Sequence, residues 1–293
     1  MFKLNTKVEI PDDAAKAVNR PEWARRFFMF VTLIFLLKTA HFLFTNPRFE
    51  WQVVGEFLSS SVVLDGLGVS LLLTFFGMLF GSIIGTFLAT MRLGKFKVGR
   101  FIAEFYAWIF RGTPLLIQLL FWYNLAYLLP NIEIGIPFGL TLISWETNEL
   151  ITPFVAAILG LALNEAAYMS EIMRAGIQSV DSGQLDAAKS LGFTPAKSFF
   201  RIVLPQAMRF VLPPAGSQVI GMLKGTSLVS VIAMTDLLFS VQTIYNRTFK
   251  VVPMLIVAVV WYLLIFTLLS YLQKKMEAHF SRGYNAAPLD SKD

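Results

Sequence analysis

Three ionisable side chains, Glu165, Glu171 and Lys224, lie inside long apolar runs of this 293-residue chain. A charged group at membrane depth costs on the order of 3 kcal/mol on insertion scales, so each needs a partner or a task. Lys224 falls near the middle of the fifth run, between Gly221 and Gly225-Thr226-Ser227, where the helix is weakened and its backbone left open to a cavity. Two readings stand: the lysine meets a substrate carboxylate, or it pairs with Glu165 or Glu171 and fixes two helices together. Bond-making chemistry is poorly supplied. Cysteine is absent and the histidines are His41 and His279, which argues against a thiol nucleophile, a thiolate or multi-histidine metal site and a histidine-based triad. No catalytic or metal-binding residues are expected. The stretch Gly192 to Ser198 ends like a phosphate loop, but it lacks a glycine before Lys197 and follows no strand, so the chain itself is not expected to bind ATP.

Polar interruptions recur in the other runs. Arg111-Gly112-Thr113-Pro114 breaks the third, where Pro114 removes a helical hydrogen bond and kinks the segment. Gln118, one turn on, either lines a pathway or bonds a neighbouring helix. Pro213-Pro214, beside Gly216, Ser217 and Gln218, marks either a gate or a packing bend. Thr113, Pro114, Gln118, Gln218, Lys224, Thr226 and Ser227 are therefore the candidate path residues. Gly77, Gly81 and Gly85 repeat every fourth residue, a small-residue stripe that lets membrane helices approach closely, with internal packing preferred over a dimer interface.

Hydrophobic residues make up 56% of the chain and charged residues 15%, against about 25% charged in soluble domains, which identifies a polytopic membrane protein. Runs long enough to cross a bilayer fall at roughly 27–45, 66–91, 101–129, 151–175, 207–234 and 252–273. The first is the weakest, interrupted by Lys38 and His41 near one end; a snorkelling lysine accounts for it. Basic residues orient the set. Lys3, Lys7, Lys16, Arg20, Arg25 and Arg26 precede the first run, Arg92, Lys95, Lys97 and Arg100 fill the second connection, and Arg174, Lys189, Lys197, Arg201 and Arg209 the fourth. Lys274, Lys275, Arg282 and Lys292 close the chain, while the alternate connections carry Arg48, then none between 130 and 150, then Arg247 and Lys250. Six crossings with both termini in the cytoplasm follow, and the net charge of +6 is mostly topology rather than a nucleic-acid patch. No cleavable signal peptide is evident, so the first run is expected to persist as an anchor. The acidic connection holding Glu133, Glu146 and Glu149 then faces outward, as a solvated loop or a surface for a binding protein.

The fourth connection is a polar island with readable local structure. Asp181 or Ser182 can cap a short helix, with Gln184 placed as in a capping box; Lys189 falls in its last turn and Gly192 at a left-handed stop. Thr194 and Pro195 restart a helix as cap and first residue, and Pro205 is expected to stop the continuation of Ile202-Val203-Leu204. Leu185, Ala188 and Gly192 recur at intervals of three and four, a narrow face that a partner could approach.

The island reads acidic residue-Ala-Ala, three residues, Gly, nine residues, Ile, one residue, Leu-Pro, over Asp186-Ala187-Ala188, Gly192, Ile202 and Leu204-Pro205. With Phe110 to Gln118, Tyr168 to Ile177, Leu204 to Ala207 and Lys224 to Leu228, it resembles the membrane subunits of ABC importers of the polar amino-acid uptake family, over about residues 64–275. The resemblance implies an all-α membrane protein: a five-helix type I permease core plus one extra amino-terminal helix. Residues 1–63 would hold a cytoplasmic segment, the first span and an outer loop; 64–275 the core, with a cytoplasmic coupling helix at about 181–205; and 276–293 a cytoplasmic tail. It further implies that Gln184, Asp186, Ala187, Ala188, Gly192, Ile202, Leu204 and Pro205 couple to a separate ATPase that holds ATP and Mg. A second permease subunit, identical or similar, and an extracytoplasmic solute-binding protein would complete the assembly in the bacterial inner membrane, moving polar amino acids by alternating access. Departures from the family pattern are Asp186 for the usual glutamate, Gly225 where an acid or amide usually follows the lysine, and the extra span. Glu165-Ala166-Ala167 is a decoy, since no glycine follows at the required offset. The competing classes are an ion-coupled secondary carrier using Lys224 and Glu171, and a membrane-embedded enzyme.

Overall fold

The computed structural model describes residues 22–136 and 141–280. Lys3, Lys7, Lys16, Arg20, Arg282 and Lys292 lie outside them. The chain divides into two compact units, the first ending at Trp51 and the second beginning at Gln52.

In the first unit, helix α1 (Glu22–Thr45) exposes its apolar side chains, Phe27, Phe30, Phe35 and Leu37 among them, as a lipid-facing helix does. Thr32, Thr39 and Thr45 return their hydroxyls to carbonyls four residues back, which leaves no hydroxyl bare in hydrocarbon. Asn46 then ends the helix, its side chain accepting from the Arg48 amide at 3.0 Å.

Helix α2 (Trp51–Leu58) starts at the last residue of the first unit, and the second unit is organised around α3 (Ser61–Leu93), which starts at the Ser60 cap. The polar connection 94–96 turns the chain into α4 (Lys97–Gly112), which ends at Thr113-Pro114 before α5 (Leu115–Tyr123) and the single turn α6 (Leu125–Leu128). A two-stranded antiparallel hairpin follows, β1 (Asn131–Gly135) with β2 (Thr141–Glu146), Ile134 opposite Ile143. It departs from an entirely helical reading. Alternating β-branched residues in a segment too short to cross a bilayer favour a strand pair there. The Thr147 amide and hydroxyl donate to the carbonyls of Pro130 and Leu129 and close its base.

After α7 (Thr147–Leu150), α8 (Pro153–Gln178) runs parallel to α3, with Gly77 against Leu161, Gly81 against Glu165 and Gly85 against Met169. Then come α9 (Ser182–Ser190), α10 (Pro195–Ser198), a π turn at Phe199–Val203 and α11 (Leu204–Gly225), which passes into a 3-10 turn at Thr226–Ile232. The chain bends at Ala233, whose φ is 57°, into α12 (Leu237–Thr248), and α13 (Val251–Phe280) ends the described chain.

Among the described residues, four helices are long and apolar enough to span a bilayer, α1, α3, α8 and α13, and the pair Pro195–Ile232 with Leu237–Thr248, bent by 47°, supplies a fifth if it is one span. The run at 101–129 is split at Pro114 into helices of 16 and 9 residues, each shorter by itself than the roughly 20 an unbroken crossing needs. Residues 237–248, read as an outer connection, fold instead as a capped helix whose Leu237 and Val241 enter the core.

α3 threads three apolar clusters. Val63 and Leu67 pack with Leu237, Val241, Met254 and Val257; Leu73 packs with Leu119, Leu161, Met222 and Ile232; Leu88 packs with Ala103 and Ala166. The glycine stripe makes this possible. A methyl built at Gly81 would meet Glu165 Cβ at 2.7 Å, and one at Gly85 would meet Met169 Cβ at 2.6 Å, so the stripe serves internal packing against α8.

Candidate coupling site and membrane cavity

The island folds largely as its residues dictate. The Asp181 carboxylate accepts from the Gly183 amide at 2.6 Å and starts α9. At the other end Gly192 takes φ 73°, its amide bonds the Lys189 carbonyl at 2.9 Å, and the Phe193 amide reaches the Ala188 carbonyl at 3.0 Å. This paired closure is the Schellman arrangement that a left-handed glycine permits. Thr194 accepts from the Lys197 amide at 3.3 Å with Pro195 at the first helical position, and Lys197 Nζ stands 4.2 Å above the Phe193 ring.

Two local expectations are corrected. Pro205 does not stop the helix. The chain widens through the π turn, where the Leu204 amide bonds the Phe199 carbonyl, and Pro205 enters α11 in its first turn, where a missing N–H is harmless. Ala188 is not on the approachable face, being 1% exposed and turned inward. The outward face is formed by Gln184, Ala187 and Leu191, the last 74% exposed in a polar connection. Leu191, one turn beyond Ala187, could have been found from spacing. Asp186 projects into solvent and pairs with Lys189 of its own helix at 3.0 Å.

Inside the unit the acidic and basic groups sort differently from either sequence reading. Lys224 pairs with neither Glu165 nor Glu171; its Nζ lies 4.7 Å from the Phe266 ring centre on α13, a cation–π contact. Glu171 instead takes three arginines from three helices: Arg92 of α3 at 2.6 Å, Arg111 of α4 at 3.4 Å and Arg174 of its own helix. Charge placement assigned Arg92 and Arg174 to topology, and nothing in their spacing reveals a shared partner 79 residues from Arg92.

Gln118 is engaged by the broken third run and by α8. Pro114 has no N–H to offer the Phe110 carbonyl, and the Gln118 amide nitrogen takes that place at 3.0 Å, while also reaching Thr113 Oγ1 at 2.8 Å. Asn164 of α8 donates to the same carbonyl at 2.9 Å. Gln118 is thus a buried brace of the kink. Thr226 is fully buried, donating to the Leu223 carbonyl, and Ser227 returns its hydroxyl to Lys224. Of the candidate path residues, Gln218 lines a cavity of about 220 Å³ between α8 and α11, with Asn164, Glu165, Tyr168, Gly221 and Gly225. Pro213-Pro214 lies within an unbroken α11, and Gln273 of α13 donates to the Pro213 carbonyl at 3.3 Å, a packing contact at the proline pair. Asp236, fully buried and unnoticed in sequence, accepts from the Leu238 and Phe239 amides and caps α12 at the bend.

Residues 77–282 match the family described as the binding-protein-dependent transport system inner membrane component. The chain belongs to that family. This membrane component is 38% identical over 272 residues to the arginine transport system permease protein ArgU of Corynebacterium glutamicum, covering 92% of this chain and 83% of ArgU. It is 38% identical over 205 residues to the nopaline transport system permease protein NocM of Agrobacterium fabrum, covering 69% of this chain and 81% of NocM. Among solved structures, an amino acid ABC transporter crystallised with histidines superposes with a TM-score of 0.62 at 35% identity, over 74% of this chain and 94% of that one. The likeness extends to one chain of the MetNI methionine ABC transporter at a TM-score of 0.60 and 16% identity, which shows the shared fold. The membrane component is thus a multi-pass helical protein of the type I importer class.

Proposed function

We propose that this chain is the permease subunit of an ATP-driven importer of polar amino acids, coupled to a separate ATPase through α9 and its flanking turns. One observation carries this reading. A capped helix outside the apolar spans offers Ala187 and the exposed Leu191 outward, and is joined through α10 and the π turn directly to the membrane helix α11. A push on α9 reaches the cavity wall through the closed Gly192 turn, α10 and the π turn. Relatives named for arginine, glutamine and cystine transport support the substrate class.

In this reading Gln184, Asp186, Ala187, Ala188, Gly192, Ile202, Leu204 and Pro205 form or support the docking element. Ala187 and Leu191 enter a groove on the ATPase, Ala188 seats α9 on its own unit, and Gly192 sets the angle between helices. ATP and Mg reside on the ATPase. A second permease subunit completes the path, an extracytoplasmic binding protein delivers the solute, and both termini of this inner-membrane chain lie in the cytoplasm. An ion-coupled carrier using Lys224 and Glu171 is not favoured, because Glu171 is held by three arginines and Lys224 stands over Phe266.

The test uses the chain's lack of cysteine. A single Leu191→Cys variant, expressed with its ATPase, is expected to crosslink to that subunit with a short bifunctional reagent and to do so differently with and without ATP. Proteoliposomes holding the complex and its binding protein are expected to take up a polar amino acid only when supplied with ATP. Absence of both results overturns the reading.

A further inference from the structure

A groove of about 560 Å³ lies where the start of α11 meets the end of α13, walled by Arg209, Phe210 and Pro213 of the first and Lys274, Glu277 and Phe280 of the second. It shares no lining residue with the membrane cavity between α8 and α11. Arg209 stands in the second turn of α11, which follows α9 through α10 and the π turn. On the topology proposed above, the groove therefore sits at the cytoplasmic edge of the bilayer.

Its two cations have no task within the fold. Both are exposed, and among the described residues neither Arg209 nor Lys274 makes an ion pair or a hydrogen bond. The one carboxylate in the wall is engaged elsewhere: Glu277 accepts from Gln273 at 2.8 Å, and Gln273 also donates to Ser217 Oγ at 3.1 Å, which ties Glu277 into the contact between α11 and α13. Lys275, next in the chain, stands 4.7 Å from the Tyr271 ring centre instead. Two cations against one carboxylate leave the groove with a single surplus positive charge. The rest of the wall is apolar and open. Phe210 and Phe280 are exposed, and Leu263, Leu264 and Leu268 continue the exposed apolar surface of α13 toward the bilayer centre. A soluble anion would use the charge and leave the aromatic wall wet, whereas an amphiphile uses both.

We infer that this groove holds the headgroup of an anionic phospholipid, its phosphate between Arg209 and Lys274 and the upper part of its acyl chains against Phe210 and Phe280. Basic pockets between membrane helices at the cytoplasmic face suit such headgroups. A guanidinium offers a phosphate two parallel N–H donors, and the lysine adds a point charge on a flexible stem. The single surplus charge matches that of a phosphodiester. A lipid seated there bridges α11 and α13 beside the Gln273 contact, at the end of α11 that the coupling element adjoins. The inference rests on the importer reading for the side of the membrane that the groove faces.

The experiment is native mass spectrometry of the full chain in detergent, with and without its ATPase, titrated with phosphatidylglycerol, with phosphatidylcholine of the same chains and with inorganic phosphate. Phosphatidylglycerol is expected to be retained in preference to phosphatidylcholine. The Arg209→Gln/Lys274→Gln double variant is expected to lose phosphatidylglycerol affinity by on the order of tenfold or more while phosphatidylcholine stays within about twofold. Lys95→Gln/Lys97→Gln removes two charges from another connection of the same expected sidedness and is expected to leave binding unchanged. An equal loss in that control pair, or no loss in the groove pair, overturns the assignment. So does displacement of phosphatidylglycerol by equimolar inorganic phosphate, which would make the ligand a soluble anion. Should the double variant not assemble, the single variants at these exposed positions decide, and unchanged binding in both overturns the proposal. Failure of the importer reading shows up separately, as a complex with no ATP-driven uptake of any amino acid, because the lipid titration requires no transport.

Discussion

At Glu171 three guanidinium groups converge on one carboxylate, tying α3, α4 and α8 at a single point. Glu171→Gln leaves Arg92 and Arg174 without a counter-charge in a partly desolvated site. The expected loss is about 2 kcal/mol, below the ~3–5 kcal/mol of a fully buried pair because Glu171 keeps 32% of its side chain exposed. Thermal melting of the complex in detergent checks it, and a melting temperature within error of wild type excludes a structural role for the hub. Asp186 offers the opposite case. Its carboxylate pairs with Lys189 on the same exposed face, an arrangement worth about 0.3–0.5 kcal/mol. Asp186→Ala should leave the melting temperature unchanged and lower substrate-stimulated ATP hydrolysis; unchanged hydrolysis would transfer the docking role to Ala187 and Leu191. Residue types and spacing found the carboxylates and Lys224 but not their partners. Contacts between α3 and α8 depend on which faces the glycines bring together, and spacing along one helix is silent about the face of another.

Elements carry their own predictions. Gly192 closes α9 with φ 73°, so Gly192→Ala forces a left-handed alanine and should cost about 1 kcal/mol, visible as lower stability and weaker coupling, with recovery in Gly192→Asn. Gly85→Leu should be far worse, because the added Cβ alone meets Met169 and the Ala166 carbonyl and α3 must separate from α8; the expected readout is loss of assembled complex on size exclusion. Gln118→Leu removes one of two donors to the Phe110 carbonyl, and a loss of about 1–2 kcal/mol is expected in the same melting assay. Caps, the glycine stop and the Pro114 break were legible in sequence because each rests on a local backbone rule. The π turn, the hairpin and α12 were not. Pro205 looked like a terminator because a proline's effect depends on whether the turn before it is α or wider. The α12 signal was present, Asp236 ahead of Leu237 with Val241 and Ile244 following at helical spacing, but charge counting had already assigned the segment to a loop.

For the whole molecule, the testable quantity is which ends face the cytoplasm. Ser190, after the acidic motif, and Ser144, in the hairpin, lie in connections of opposite expected sidedness. In this cysteine-free background Ser190→Cys should react with a membrane-impermeant maleimide only in inverted vesicles, and Ser144→Cys only in intact cells stripped of outer membrane; the reverse pattern inverts the topology. Hydropathy and charge set the expected sense of the membrane path, and Pro114 marked the broken third run, whereas nothing in the sequence announced the bend at Ala233. The π turn at Phe199–Val203 has a further effect on the whole assembly. It stores one residue more than an α turn closes over, and a surplus residue is a phase offset of about 100° around the helix axis. The heading of Leu191 relative to α11 therefore depends on that winding as well as on the Gly192 turn. Excising Arg201, an exposed residue of that turn, would rewind the segment and swing the docking face aside with its chemistry untouched: a permease that still folds and still owns every docking residue, but aims them past the motor.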